Sequence, residues 1–256
     1  MQLTVYRAAV VVGVMQLAAI ASGAFISSGK IALEPGQAAP SSTVHIILSI
    51  AALAVGFAFC VWVSVARTSR PLRIAAWLAF ASLGLSGLIT SPGEWVWHAC
   101  FAHLSIALIA ATMAFSSPAA EPVSAGAMVY LRPAAIATPP VVLAQIILGA
   151  LYRHKIFGIM PHMLGAMVVA LLTLIVSVVL LQNFGQRRDL RIPATALISL
   201  LLAQVCLGIA VFLLLLLGAG NTGGFVWSAT GHVCVGTLTF AASVVLAMRV
   251  RAGLAA

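Results

Sequence analysis

The histidines are the residues of this chain whose positions point to a chemical function. Six histidines occur in 256 residues, and each lies at or near the end of a long apolar segment: His45, His98, His103, His154, His162 and His232. An imidazole in hydrocarbon is costly unless it binds a metal, pairs with another polar group or faces water. Several imidazoles at one depth of a membrane therefore predict a layer of metal or heme sites.

Composition identifies the elements that position these histidines. The chain is 63% hydrophobic and only 7% charged, which is far from the balance of a soluble domain. Apolar runs of about 20 residues, the length that crosses a bilayer core, recur along the whole chain. Eight spans are expected: 7–28, 43–66, 74–90, 95–115, 134–152, 162–183, 193–217 and 226–248. The predicted fold class is an all-α integral membrane protein with eight transmembrane helices.

Basic residues orient these spans. With an even number of spans both termini share one side, and ten of the thirteen Lys and Arg residues fall there. The other side receives Lys30, Arg153 and Lys155. Because cytoplasmic loops carry the basic excess, both termini are expected in the cytoplasm, with the chain in an inner membrane of prokaryotic type. The net charge of +9 reflects this bias and the anionic lipid bilayer, and nucleic acid is not an expected partner.

That orientation places all six histidines in the outer half of the membrane. The acidic residues lie elsewhere: Glu34 and Glu94 in outer loops, Glu121 and Asp189 on the cytoplasmic side. The absence of a carboxylate deep in the spans argues against a proton relay or an ion-coupled transporter. The four cysteines lie within spans without a Cys-x-x-Cys spacing and are expected to be small buried residues: Cys60, Cys100, Cys206 and Cys234.

An internal repeat underlies the eight spans. Spans one to four and five to eight share one topology, and Gln145-Ile-Ile-Leu-Gly149 has the spacing of Gln204-Val-Cys-Leu-Gly208. The chain is therefore expected to form two pseudo-symmetric four-helix bundles. The expected divisions are an N-terminal half over 1–118, a cytoplasmic linker over 119–133 and a C-terminal half over 134–256.

Two imidazoles on alternate helices of a four-helix bundle suit the two axial positions of a heme iron. The even-numbered spans supply them: His45, His103, His162 and His232. His98 and His103 lie five residues apart and point to different helix faces, and His103 is preferred because it is deeper. A bare zinc or copper site ranks lower, since no carboxylate or cysteine pair accompanies the histidines.

A cationic cluster ends the fifth span. Arg153, His154 and Lys155 are consecutive, and arginine and lysine commonly bind carboxylates such as heme propionates. An interfacial anchor for lipid headgroups is the equal alternative.

Three motifs resemble the heme A synthase family, and the resemblance covers most of the chain. Gln145-Ile-Ile-Leu-Gly-Ala-Leu-Tyr-Arg-His154 is similar to the end of that family's fifth helix, and His103-Leu-Ser-Ile-Ala and Gly231-His232-Val-Cys-Val-Gly236 to its fourth and eighth helices. The resemblance implies that His162 and His232 ligate a resident heme b, and that His45 and His103 flank a substrate heme O. It implies oxidation of a heme O methyl group to the formyl group of heme A, with heme O synthase and terminal oxidase assembly factors as partners.

The chain also departs from this pattern. The family's glutamate three residues before the second-helix histidine, and the arginine just after it, are here Ser42 and Ile46. Glu94 or Glu34 is then the candidate to supply the acid from an outer loop. Two functions stay open: a heme A synthase-like oxidoreductase, or a catalytically silent heme b-binding protein for electron transfer, heme delivery or oxidase assembly. A metal or solute transporter is a third, disfavoured by the lack of buried acids.

Overall fold

Eight long helices make up the described part of the chain. The computed structural model describes residues 1–32, 41–89, 91, 94–117 and 130–253, and these contain no strand. The helices are α1 (Gln2–Ala32), α2 (Thr43–Val65), α3 (Arg70–Leu88), α4 (Trp95–Phe115), α5 (Leu131–Arg153), α6 (Ile159–Phe184), α7 (Arg188–Leu216) and α8 (Gly223–Gly253). All eight are long and apolar enough to cross a membrane, which confirms the predicted all-α class and the number of spans.

Six of the eight helices begin before the apolar run from which they were predicted. α3 begins at Arg70, with Pro71 in the first turn, where a missing amide hydrogen costs no helical bond. α5 begins at Leu131 and runs through Pro139 and Pro140 without a break. The last residues of the expected linker 119–133 are therefore already helical.

The helices of each half pack as a ring. In the N-terminal half (α1–α4) each helix packs on its two chain neighbours and α1 closes the ring on α4, and in the C-terminal half (α5–α8) α5 closes on α8 in the same way. α4 and α8 pack on each other at the centre, with α1 on α8 and α5 on α4. Exchanging the two halves leaves this set of neighbours unchanged.

The apolar core fills one end of the bundle more densely than the other. The two largest buried clusters join the first turns of α1, α5 and α7 to the last turns of α2, α6 and α8. No residue is buried in 43–51 of α2, in 159–168 of α6 or in 202–216 of α7. These sparsely packed stretches belong to the end of the bundle that carries the histidines.

One expectation about the cysteines is wrong. Cys60 and Cys100 are buried, but Cys206 is exposed and Cys234 is only partly covered. α7 packs only on α6 and α8, so the other face of this helix points away from the bundle.

Candidate functional site

Four of the six histidines meet in two pairs. The ring centroids of His45 on α2 and His98 on α4 are 6.2 Å apart, with the ring planes at 67°. Those of His162 on α6 and His232 on α8 are also 6.2 Å apart, at 78°. Within each ring of helices the paired imidazoles come from diagonal helices that do not pack on each other. The side chains therefore meet across the interior of each half.

The distance between the rings suits a shared metal. Two nitrogens bound from opposite sides at about 2 Å bring the two ring centroids to roughly 6 Å. The described residues contain no group of three or more His, Cys, Asp or Glu side chains that could hold a metal ion. Two imidazoles alone do not complete the four ligands of a structural zinc site. They fit an iron whose remaining ligands come from a porphyrin.

The partner of His45 differs from the one that the sequence favoured. His103 was preferred, but the ring beside His45 belongs to His98. His103 is 7% exposed, and its Nδ1 donates to Ala99 of its own helix at 2.6 Å. The neighbouring Ala102 packs toward Val233 of α8, so this stretch of α4 faces the seam between the halves. Depth alone could not show which face of α4 points toward α2.

Main-chain carbonyl groups orient three of the four paired imidazoles. In each case Nδ1 lies at hydrogen-bonding distance from a carbonyl of the preceding helix: His45 to Ala19 at 3.0 Å, His98 to Ser86 at 2.7 Å and His232 to Gln204 at 3.1 Å. Because a carbonyl oxygen only accepts, Nδ1 carries the proton in these rings. Nε2 then keeps the lone pair that a metal requires.

Glutamine side chains add contacts in the C-terminal half only. The Gln145 amide lies 3.0 Å from Nδ1 of His162 and donates to its carbonyl oxygen at 2.8 Å. The Gln204 amide nitrogen lies 3.2 Å from Nε2 of His232. In the N-terminal half the corresponding side-chain contact is a single hydroxyl, Ser22, at 3.1 Å from His45. The His162–His232 pair therefore has more side-chain contacts than the His45–His98 pair, and the contact of Gln204 with Nε2 of His232 is one that a metal would replace.

Basic side chains gather beside the pairs. Arg153 at the end of α5 donates through Nη2 to the Ala24 carbonyl at 3.0 Å and to the Ser28 hydroxyl of α1. Its buried Nε has no partner among the described residues. The Trp95 ring lies 5.6 Å from the Lys30 ammonium and 5.6 Å from the His154 ring. A buried, partly unsatisfied guanidinium in a basic setting is suited to bind a carboxylate.

The charge of His154 depends on this setting. Burial lowers the pKa of His154, and electrostatic repulsion by the neighbouring Arg153 and His98 lowers it further. His154 therefore adds a positive charge to the cluster only under acidic conditions.

Of the two candidate acids, the structure describes only Glu94, and it is not bonded to either pair. Glu94 directly precedes α4, is exposed and makes no capping hydrogen bond, and no bond joins it to His98 in the part of the chain that the structure describes. Glu34 lies outside the described residues. Ser42 and Ile46, which flank His45, are both exposed. Neither histidine pair has a carboxylate bonded to it among these residues.

Sequence reasoning missed two contributors to the site. His98 was set aside, and Gly23 was not recognised beside His45. The sequence does contain a pattern that identifies Gly23. It follows Ala19 by four positions, as Gly149 follows Gln145 and Gly208 follows Gln204.

Comparison with protein-family models finds no family that matches this chain. A search of curated proteins finds no match either. The family resemblance therefore rests on the motifs and the histidine geometry alone.

Proposed function

We propose that this chain is a heme-binding membrane oxidoreductase of the heme A synthase type, with one bis-histidine heme site in each half. The observation that carries the proposal is the repeated pair of imidazoles, with ring centroids 6.2 Å apart in both halves. His162 and His232 would ligate a resident heme b. His45 and His98 would flank a substrate heme O, with His98 in the role predicted for His103. Heme iron held by two imidazoles supplies reversible one-electron transfer.

Differences between the halves support separate roles for the two sites. The Gln145 amide donates to the His162 carbonyl oxygen at 2.8 Å and so holds this residue in place, which favours a permanently bound group. Among the described residues the His45–His98 pair has no glutamine contact, which suits an exchangeable substrate site. Arg153, Lys30 and His154 would bind propionate groups at the edge of either site.

We also propose two pseudo-symmetric bundles with both termini in the cytoplasm of a prokaryotic cell. The exchangeable pattern of helix neighbours supports the symmetry. The ten basic residues on the side of the termini support the orientation. Heme O synthase and terminal oxidase assembly factors are the proposed partners.

The proposed reaction converts a methyl group of heme O to a formyl group. With water as the oxygen source, the balance is –CH3 + H2O → –CHO + 4 H⁺ + 4 e⁻. Two equivalents of a two-electron acceptor in the membrane would take up these electrons and protons. Glu94 and Glu34 are the acids available to accept a proton from an outer loop, and general acid–base help is typically worth about 10²–10⁴ in rate.

A catalytically silent heme b-binding protein is the second candidate, and one observation favours it. No carboxylate is bonded to either histidine pair among the described residues, and Glu94 is exposed. In that case the chain would carry electrons, deliver heme or assist oxidase assembly.

Heme analysis of an expression strain tests the proposal. The full chain is expressed with a heme O synthase in a host that lacks heme A, and extracted hemes are separated by chromatography. Heme A that disappears with His45→Ala or His98→Ala, but persists with Glu121→Gln as a control, supports the enzyme. Heme O alone, together with bound heme b, favours the silent alternative, and a protein without any heme overturns both.

A further inference from the structure

Three of the paired imidazoles lie against a glycine of the preceding helix. A Cβ atom added to each glycine would approach Cε1 of the facing ring: 2.9 Å from Gly23 to His45, 2.9 Å from Gly149 to His162 and 3.1 Å from Gly208 to His232. Real Cβ atoms essentially never show contacts below 3.0 Å, and at 3.0–3.4 Å the neighbour must shift by a few tenths of an ångström. The rings at Gly23 and Gly149 therefore occupy space that a larger residue would take, and the ring at Gly208 leaves little room for one.

The residue four positions before each glycine contacts Nδ1 of the same ring. Ala19 and Gln204 offer their main-chain carbonyl groups to His45 and His232, and Gln145 offers its side chain to His162. Residues four apart lie on the same face of a helix. The glycine and the residue before it therefore form one contact surface for the imidazole.

Helix geometry explains why the later residue is glycine. The carbonyl of residue i accepts the amide hydrogen of residue i+4, and the Cβ of residue i+4 stands beside that oxygen. Serine and threonine show this proximity when their hydroxyls bond the carbonyl four residues earlier, as Ser28 does to Ala24 at 2.7 Å. A flexible donor still reaches such a carbonyl beside a Cβ, as Arg153 does at Ala24 and Ser105 does at Ala79. A flat imidazole whose Cε1 lies against residue i+4 has room only if that residue lacks a Cβ.

His98 provides the contrasting case. Its Nδ1 bonds the carbonyl of Ser86, which lies in the last turn of α3 and also accepts the Ile89 amide at 3.2 Å. Added Cβ atoms at Gly84 and Gly87 of this helix would meet nothing within 4 Å. The three rings that lie against a glycine contact the middle of the preceding helix, whereas His98 contacts the end of α3.

We propose that Gly23, Gly149 and Gly208 are positioning residues that form an imidazole seat, defined as the glycine together with the residue four positions before it. At Gly23 and Gly208 the seat keeps the proton on Nδ1 and leaves the lone pair on Nε2. At His232 the Gln204 amide, 3.2 Å from Nε2, would have to turn aside when iron binds. This proposal rests on the proposed heme function. A carbonyl bonded to Nδ1–H makes the ring a stronger ligand, and loss of such a contact typically lowers metal affinity about 10–100-fold.

The test compares Gly23→Ala and Gly208→Ala with Gly84→Ala in the purified full chain. Heme loss to apomyoglobin should accelerate about 10–100-fold in the first two variants, with a shift of the midpoint potential to more positive values, and Gly84→Ala should match the wild type. Gly23→Ala should change more than Gly208→Ala, because its Cβ contact is the shorter. If both seat variants lose heme at the wild-type rate and keep the wild-type midpoint potential, the seat proposal is wrong, while the proposed heme sites are not contradicted.

Two further measurements keep the test decisive. If Gly23→Ala does not fold, Gly23→Ala/His45→Ala should fold, because the ring that collides is gone; failure of this double variant also overturns the seat. If the wild type contains no heme, the proposed function fails, and ¹⁵N NMR of the histidines then tests the seat alone. Protons on Nδ1 of His45 and His232 that are lost in the alanine variants support it, and unchanged tautomers contradict it.

Discussion

Replacing His98 by alanine should remove the low-spin heme signal of the N-terminal half, whereas replacing His103 should leave that signal in place. The His98 ring is the one 6.2 Å from His45, while Nδ1 of His103 donates to the Ala99 carbonyl of its own helix. Loss of one axial imidazole leaves the iron with a single protein ligand and changes its spin state.

The two substitutions should affect stability in the opposite order. His98→Ala removes one hydrogen bond, that to Ser86, which is worth about 0.5–1.5 kcal/mol. His103 is 7% exposed, and truncation of such a large buried side chain leaves a cavity that costs about 2–5 kcal/mol. The His103 variant should therefore lose more stability and the His98 variant more heme.

Electron paramagnetic resonance of the ferric protein and thermal unfolding in detergent measure these two effects on the same preparations. Heme O must be supplied, so that the N-terminal site is filled. A His103→Ala variant that loses the low-spin signal, beside a His98→Ala variant that keeps it, would refute the assignment of His98.

Three further predictions concern the surroundings of the pairs. Gln145→Leu should weaken heme binding at His162 about 10–100-fold in a heme-loss assay, whereas Gln16→Leu should leave heme binding unchanged and raise the unfolding temperature, because the buried Gln16 amide has no partner among the described residues. Arg153→Met should lower the unfolding temperature, because the charged hydrogen bonds to α1 are worth about 1.5–3 kcal/mol each. Arg153→Lys should recover only part of the lost unfolding temperature. The affinity of a carboxylate for the cluster of Arg153, Lys30 and His154 should rise as the pH falls through the lowered pKa of His154, because protonation adds positive charge. In the His154→Gln variant this affinity should depend less on pH.

The sequence predicted the elements of this fold well because bilayer length and apolar runs determine them. The span expected at 95–115 coincides with α4, and the others differ only at their ends. Those ends moved because the helices continue into polar flanks, as α3 does at Arg70. Apolar periodicity carries no information about such polar turns.

The sequence predicted the site less completely. It identified His45, His162 and His232, but not the contact between His45 and His98. That contact depends on the rotation of α4 about its axis, which its packing against α1, α3, α5 and α8 determines. The glycine beside three of the four rings likewise depends on how two helices pack, which the pattern of a single helix does not reveal.

Optical and paramagnetic spectra of the purified wild-type protein, with heme quantified per chain, test the central claim most directly. The account predicts six-coordinate low-spin heme b with two imidazole ligands, and an Ala variant of His162 or His232 that loses this signal. A wild-type protein that contains no heme, or only high-spin heme unaffected by both substitutions, would contradict the account.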